Sequence, residues 1–212
     1  HTDSILFFRL GDFYEMFLDD AKVASKELEL TLTGRGKEEN RIPMCGIPYH
    51  AADSYIGKLV NRGFKVAICE QVEDASLSKG LTKREVVKVI TPGTVLGYGH
   101  IDEKDNNYLA ACSYDKKTSS YGLSYVDIST GEFRVFSVKN TEDVKSHIEK
   151  LGAKEILVQD EIALDLPSEI LKNSIFALEI DRAEEELKNH FQVQSLSAFG
   201  VEKCKQAFPA AW

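Results

Sequence analysis

Apolar residues run through Ile5-Leu6-Phe7-Phe8, and Arg9-Leu10 close the run before Gly11. A run of that length stopped by glycine predicts a strand buried on both faces. Beyond it the period changes. Tyr14, Phe17, Ala21, Ala24 and Leu28 recur at helical spacing, with Asp19, Asp20, Lys22, Lys26 and Glu27 on the other side. That predicts an amphipathic helix to about Glu29. Thr31-Leu32-Thr33 predicts a short strand, and residues 34–40 a loop. Arg41 to His50 contains Pro43, Gly46 and Pro48, so an edge strand or a rigid extended segment is expected there, not a central strand. Tyr55, Ile56, Leu59 and Val60 mark a helix that stops at Gly63. Strands follow at 64–72 and 85–90, separated by a polar loop at 74–82. Strands and helices alternate, which indicates an α/β domain with a mixed sheet over residues 1–94.

Residues 95–107 are polar and Gly-rich and are expected to form a linker. From Tyr108 the pattern shortens to three strands in a meander, 108–114, 121–127 and 132–138, with turn residues between them. A helix is expected at 141–151, strands at 155–158 and 175–180, and a charged helix at 182–191. Residues 161–173 are ambiguous; Pro167 breaks them, and a helix could start at Ser168. Three antiparallel strands, a helix and further strands have the layout of an RNase H-like fold over residues 108–212. The fold class is therefore α/β in two domains, and fold alone assigns no activity.

A chain of 212 residues can bury two cores. No apolar run approaches the roughly 20 residues of a membrane span. The start has neither a signal-peptide layout nor an initiator Met, and the end is abruptly apolar. We therefore expect an excised cytoplasmic fragment, cut inside or just before a packing helix. The net charge of −8 is uneven: −1 over residues 1–100 and −7 over 101–212. Phosphate binding can then be local only, and confined to the first half. The acidic second half suits a protein partner or plain solubility. Cys45, Cys69, Cys112 and Cys204 lack metal-ligand spacing and read as small buried hydrophobes.

The candidate chemistry centres on Gly11-Asp12-Phe13-Tyr14-Glu15-Met16-Phe17. In an extended backbone Phe13 and Glu15 point to one side and Tyr14 to the other. In a helix Phe13 and Glu15 lie about 200° apart and cannot cooperate. Spacing leaves a bland reading open as well, in which Asp12 and Glu15 form a capping arrangement and Phe13 is core. An exposed Phe beside a carboxylate does have a use on DNA. An aromatic wedge enters the minor groove, unstacks a base step and kinks the duplex. Unstacking costs a few kcal/mol, least at a mispaired base, and ring-on-base stacking returns about 1–3 kcal/mol. A carboxylate there is unfavourable against phosphates but useful for hydrogen-bonding a displaced base.

Rival readings are weaker. Asp12, Glu15, Glu70, Asp74 and Asp127 show no convergent spacing for Mg²⁺. His50 has no partnered nucleophile. Gly34-Arg35-Gly36-Lys37 lacks the spacing of a Walker loop. Arg35, Lys37, Arg41 and Lys79 are candidates for contact with a DNA backbone, against the alternative of solvated loops. Glu184, Glu185 and Glu186 are a candidate partner surface, against a solvated helix face.

Four segments carry a resemblance. They are Phe8 to Phe17, Arg41 to Ala51, Val66 to Val72, and Val86 to Thr94, with Asp127 to Phe133 and Phe199 to Glu202 as weaker echoes. In order and spacing the chain resembles the N-terminal part of the MutS mismatch-repair family. The resemblance implies a mismatch-recognition domain followed by an RNase H-like connector domain without a nuclease site. It implies that Phe13 inserts at the mismatch and stacks on the mispaired base, and that Glu15 hydrogen-bonds that base. It also implies mismatched double-stranded DNA and MutL as partners, and homodimerisation in the full-length protein. ATP and Mg²⁺ would be used by a C-terminal ATPase region outside these residues, leaving this stretch with no catalytic residue, metal or cofactor of its own. The alternative is an interaction and coupling module that binds no DNA by itself.

Overall fold

A computed structural model describes residues 3–37, 41–72, 83–95, 97, 106–175 and 178–212. The chain divides into two compact units, His1–Asp105 and Asn106–Trp212.

The first unit is a six-stranded mixed sheet with two helices. Strand β1 (Ile5–Leu10) turns through Gly11-Asp12 into β2 (Phe13–Phe17), and helix α1 (Leu18–Leu28) follows directly. Strands β3 (Thr33–Arg35) and β4 (Ile42–Pro48) lead through a single 3₁₀ turn, Tyr49–Ala51, into α2 (Ala52–Asn61). Strands β5 (Val66–Gln71) and β6 (Arg84–Ile90) complete the sheet, in the order β3-β4-β2-β1-β5-β6. Strands β1 and β5 pair in parallel; the other neighbours are antiparallel. Both helices cover one face, where Phe7, Tyr14, Met16, Ile47, Ile56 and Leu59 form the core.

The short strand expected at residues 31–33 lies at Thr33–Arg35 instead, inside the expected loop, and three larger expectations change. Phe13–Phe17 is a strand and the helix starts only at Leu18. Tyr14 and Phe17 fit a helical period by coincidence. The burial pattern alternates, with Tyr14 and Met16 inside and Phe13 exposed, and the backbone of β2 is satisfied by ladders on both sides. The cap is Phe17, whose side chain makes no capping bond, so Asp12 and Glu15 form no capping arrangement. Second, β4 is internal, between β3 and β2. Its prolines cost little there, because Pro48 ends the strand and Pro43 faces a partner only three residues long. Third, β1 is fully buried on one face only. Ile5 and Phe7 are inside, whereas Leu6, Phe8 and Leu10 are half-buried on the helix-free side. An unbroken apolar run cannot distinguish these cases.

The second unit is a five-stranded sheet in the order β11-β10-β7-β8-β9. Strands β7 (Tyr108–Asp115), β8 (Ser120–Asp127) and β9 (Glu132–Val138) form the antiparallel meander. After α3 (Thr141–Leu151), β10 (Glu155–Gln159) and β11 (Leu171–Ile175) add in parallel beside β7. This is the RNase H-like strand order. Helix α3 is capped by Asn140, which accepts from Asp143 N at 2.8 Å, and it ends at Gly152 with φ +67°. It packs Val144 and Ile148 onto Leu123 and Ile156. On the opposite face lie a 3₁₀ segment, Glu202–Ala207, and the short helix α5 (Phe208–Ala211), with α4 (Ile180–Phe191) packed beside them. The last strand is shifted from its expected place. Residues 171–175 pair with β10, 168–170 form no helix, and α4 already begins at Ile180.

Candidate nucleic-acid interface

The Gly11-Asp12 turn joins Leu10 to its ladder partner Phe13, and Gly11 takes φ +56°. That conformation is the reason for glycine at this tight corner. Immediately after it, the alternation of β2 sends Phe13 out and Tyr14 in. Phe13 is 48% exposed and Tyr14 only 7%. Tyr14 donates its hydroxyl to Glu70 Oε1 on β5 and packs against Phe7, 5.9 Å between ring centres. Burial, reinforced by the Glu70 carboxylate, pushes the Tyr14 phenol up to about 12. The strand is thus pinned by the side chain between the two outward ones.

Glu15 shares the face of Phe13. Its Oε2 accepts from Arg35 Nη1 at 3.2 Å, and its side chain remains 20% exposed. Across the ladder from Glu15 lies Gly46. A Cβ at Gly46 would sit 3.3 Å from the Tyr14 carbonyl oxygen and 3.6 Å from Glu15 Cγ. The glycine therefore leaves bare backbone beside the carboxylate. Phe17, next on this face, meets Phe8 edge-on at 6.5 Å, and Arg84 lies over the Phe8 ring at 5.3 Å. One sheet face therefore carries Phe13, Glu15, Phe8 and Phe17, with Arg35 to one side and Arg84 to the other.

The remaining candidates are dispersed. Arg41 reaches over Gly34, which pairs with Pro43, so it lies on the other face of the β3–β4 hairpin from Arg35. Lys37 is exposed just beyond β3. Lys79 and Asp74 lie outside the described residues. Glu184 bonds Lys188 at 2.7 Å and Lys205 at 3.0 Å, whose ammonium groups hold its carboxyl below the usual range. Of its neighbours, Glu185 is exposed and Glu186 half-buried. Asp127 is fully buried; burial raises its pKa, but hydrogen bonds from Ser129 outweigh that and hold it low. It closes the turn after β8. Among the described residues no three His, Cys, Asp or Glu side chains converge in a way that suits a metal ion. Cys45, Cys69 and Cys112 are buried, and desolvation raises all three thiols, Cys45 to about 11 and Cys112 to about 12. No helix among the described residues is long and apolar enough to cross a membrane.

Arg84 and Gly46 were not singled out as site residues by their sequence pattern. A glycine inside a strand does signal close approach of another group, so Gly46 carried a readable mark. Arg84 did not, because only the register places it beside Phe8.

The family model for MutS domain I matches residues 1–98, and that for MutS domain II matches residues 107–211. Among curated relatives, the DNA mismatch repair protein MutS of Lachnoclostridium phytofermentans is 48% identical, over 95% of this chain and 22% of its own length. That of Ruminiclostridium cellulolyticum is 50% identical, over 93% of this chain and 24% of its own. That of Staphylococcus haemolyticus is 53% identical, over 80% of this chain and 19% of its own. The chain thus spans about a fifth of the length of the relatives it matches.

Proposed function

The chain belongs to the MutS family, and on that premise we propose that its first unit recognises mismatched double-stranded DNA through Phe13 and Glu15. One observation carries the reading: Phe13 is held out, 48% exposed, from a strand whose alternate positions are buried. A ring exposed on a pinned strand can enter the minor groove and unstack a base step. The cost is a few kcal/mol on paired DNA and least at a mispair. Stacking on a base returns about 1–3 kcal/mol. The balance is close to neutral on paired duplex and favourable at a mismatch, which is the discrimination required.

Glu15, on the same face, meets the base beside the wedge. Its bond to Arg35 neutralises the carboxylate where the phosphates of the duplex would repel it. Arg35, bonded to Glu15, and Arg84, over the Phe8 ring, share the sheet face that carries Phe13, and in this reading they meet phosphates of the duplex. The relatives are about four times as long as this chain, and the rest of the mismatch-repair cycle is assigned to the regions beyond it. In this reading that includes ATP and Mg²⁺ use, dimerisation and docking of MutL, with the acidic second unit as the coupling element.

A fluorescent base analogue placed beside a mismatch reports unstacking directly. Its emission should rise when the protein binds, and the rise should disappear with Phe13→Ala. An equal rise with the Ala variant would overturn the wedge assignment.

A further inference from the structure

Arg9 lies behind the turn that bears Phe13, on the helix-covered face, as the ladder partner of Tyr14. Its guanidinium carbon is 3.7 Å from the centre of the Tyr49 ring and 5.5 Å from that of Tyr14. Its Nε donates to the Gly11 carbonyl at 2.5 Å. Tyr49 in turn donates its backbone N–H to the Asp12 carbonyl at 2.9 Å. The carbonyls of both turn residues are therefore held, one by Arg9 and the other by the residue whose ring Arg9 covers. Tyr49 opens the 3₁₀ turn between β4 and α2, so the hairpin is tied to a second element.

A ring that must open a base stack works only if it does not recoil. A two-residue turn is the most deformable part of a hairpin, and the free energy of unstacking, a few kcal/mol, acts back on it. We infer that Arg9 and Tyr49 are a positioning clasp that stiffens the Gly11-Asp12 turn behind the Phe13 wedge. This rests on the reading of Phe13 as the wedge. The alternative use of an arginine in a DNA-binding unit is phosphate contact. Here the flat face is covered by Tyr49 and Nε is aimed at the chain's own backbone, on the side of the sheet away from Phe13. The task also calls for arginine specifically. Lysine keeps the charge but has neither the planar face nor the fixed Nε–H.

The test uses Arg9→Lys, Arg9→Met, Tyr49→Phe and Tyr49→Leu in the full-length protein. Three readouts are taken: amide exchange at residues 11–13 without DNA, the affinity ratio for mismatched over paired duplex, and the salt slope. Both Arg9 variants should speed exchange and lower the ratio by about fivefold each. Affinity for paired duplex should stay within about twofold, which also shows that the variants are folded. Tyr49→Phe should behave as the parent and Tyr49→Leu as Arg9→Met. If Arg9→Lys keeps the ratio while Arg9→Met weakens both duplexes and reduces the salt slope by about one, Arg9 is a phosphate contact and the inference falls. Unchanged exchange at residues 11–13 overturns it too. Faster exchange with an unchanged ratio, in a parent whose preference depends on Phe13, removes the clasp and leaves the wedge standing. If Phe13→Ala itself leaves the preference intact, the wedge reading fails, and the exchange data still show whether the turn is clasped.

Discussion

At Phe13 the ring and its backbone have opposite surroundings: solvent on one side, a pinned strand on the other. Removing the ring therefore takes little from the fold. Phe13→Ala should change unfolding free energy by no more than about 0.5 kcal/mol, read from urea denaturation. Tyr14, one residue on, should behave in the reverse way. Tyr14→Phe loses a hydrogen bond to the Glu70 carboxylate and should cost about 1–2 kcal/mol at neutral pH. The pH dependence has a definite sign. The folded phenol titrates near 12, above the unfolded value of about 10. Its stabilisation is complete below pH 10 and is lost as pH rises toward 12. The urea midpoint of the parent should fall more steeply over that window than that of Tyr14→Phe. At Glu15, exchange for Gln removes a negative charge and frees Arg35. Affinity for paired duplex should rise and the mismatch preference narrow, measured by parallel titrations; equal weakening of both would contradict the role given to the carboxylate.

Among the elements, the hairpin of β1 and β2 shows both the reach and the limit of the sequence. The alternation of Phe13, Tyr14 and Glu15 was readable, including the sides to which they point once the backbone is extended. Whether it is extended was not readable, because Tyr14, Phe17 and Ala21 also satisfy a helical period. Pairing with β4 decides the matter, and β4 arrives some thirty residues later with two prolines that suggested an edge. The meander of the second unit was legible because turn residues separate its strands. The placement of β11 was not, since Leu171–Ile175 carries a weak pattern and gains its strand character from β10. The family resemblance singled out Phe13 and Glu15; Arg84 and the Arg9–Tyr49 contact depend on register and on packing between elements. One element-level contact is open to direct test. Gly122 on β8 lies under the Glu202–Ala207 segment, where a Cβ would come within 2.3 Å of Ala207 Cα and the Gln206 carbonyl oxygen. Those are backbone atoms and cannot rotate aside. Gly122→Ala should destabilise the second unit by about 1–3 kcal/mol, visible as a lower thermal midpoint, while leaving the first unit unchanged.

Across the whole chain, a net charge of −8 argues against broad nucleic-acid binding, and the account does not require it. Binding in this reading is a local event: a wedge, a base contact and a few cations on one sheet face of the first unit. Its electrostatic part should be small in extent and uniform. Exchange of Arg35 or Arg84 for Gln should weaken paired and mismatched duplex alike and lower the salt slope by about 0.9 per lost phosphate contact. Discrimination should reside elsewhere, in the ring first and in the Glu15 carboxylate beside it. The most direct measurement is a competition titration of mismatched against paired duplex at fixed salt, with the parent and with Phe13→Ala in the full-length protein. The parent should prefer the mismatched duplex, and the Ala variant should bind both alike. A preference that survives removal of the Phe13 ring would contradict the wedge assignment.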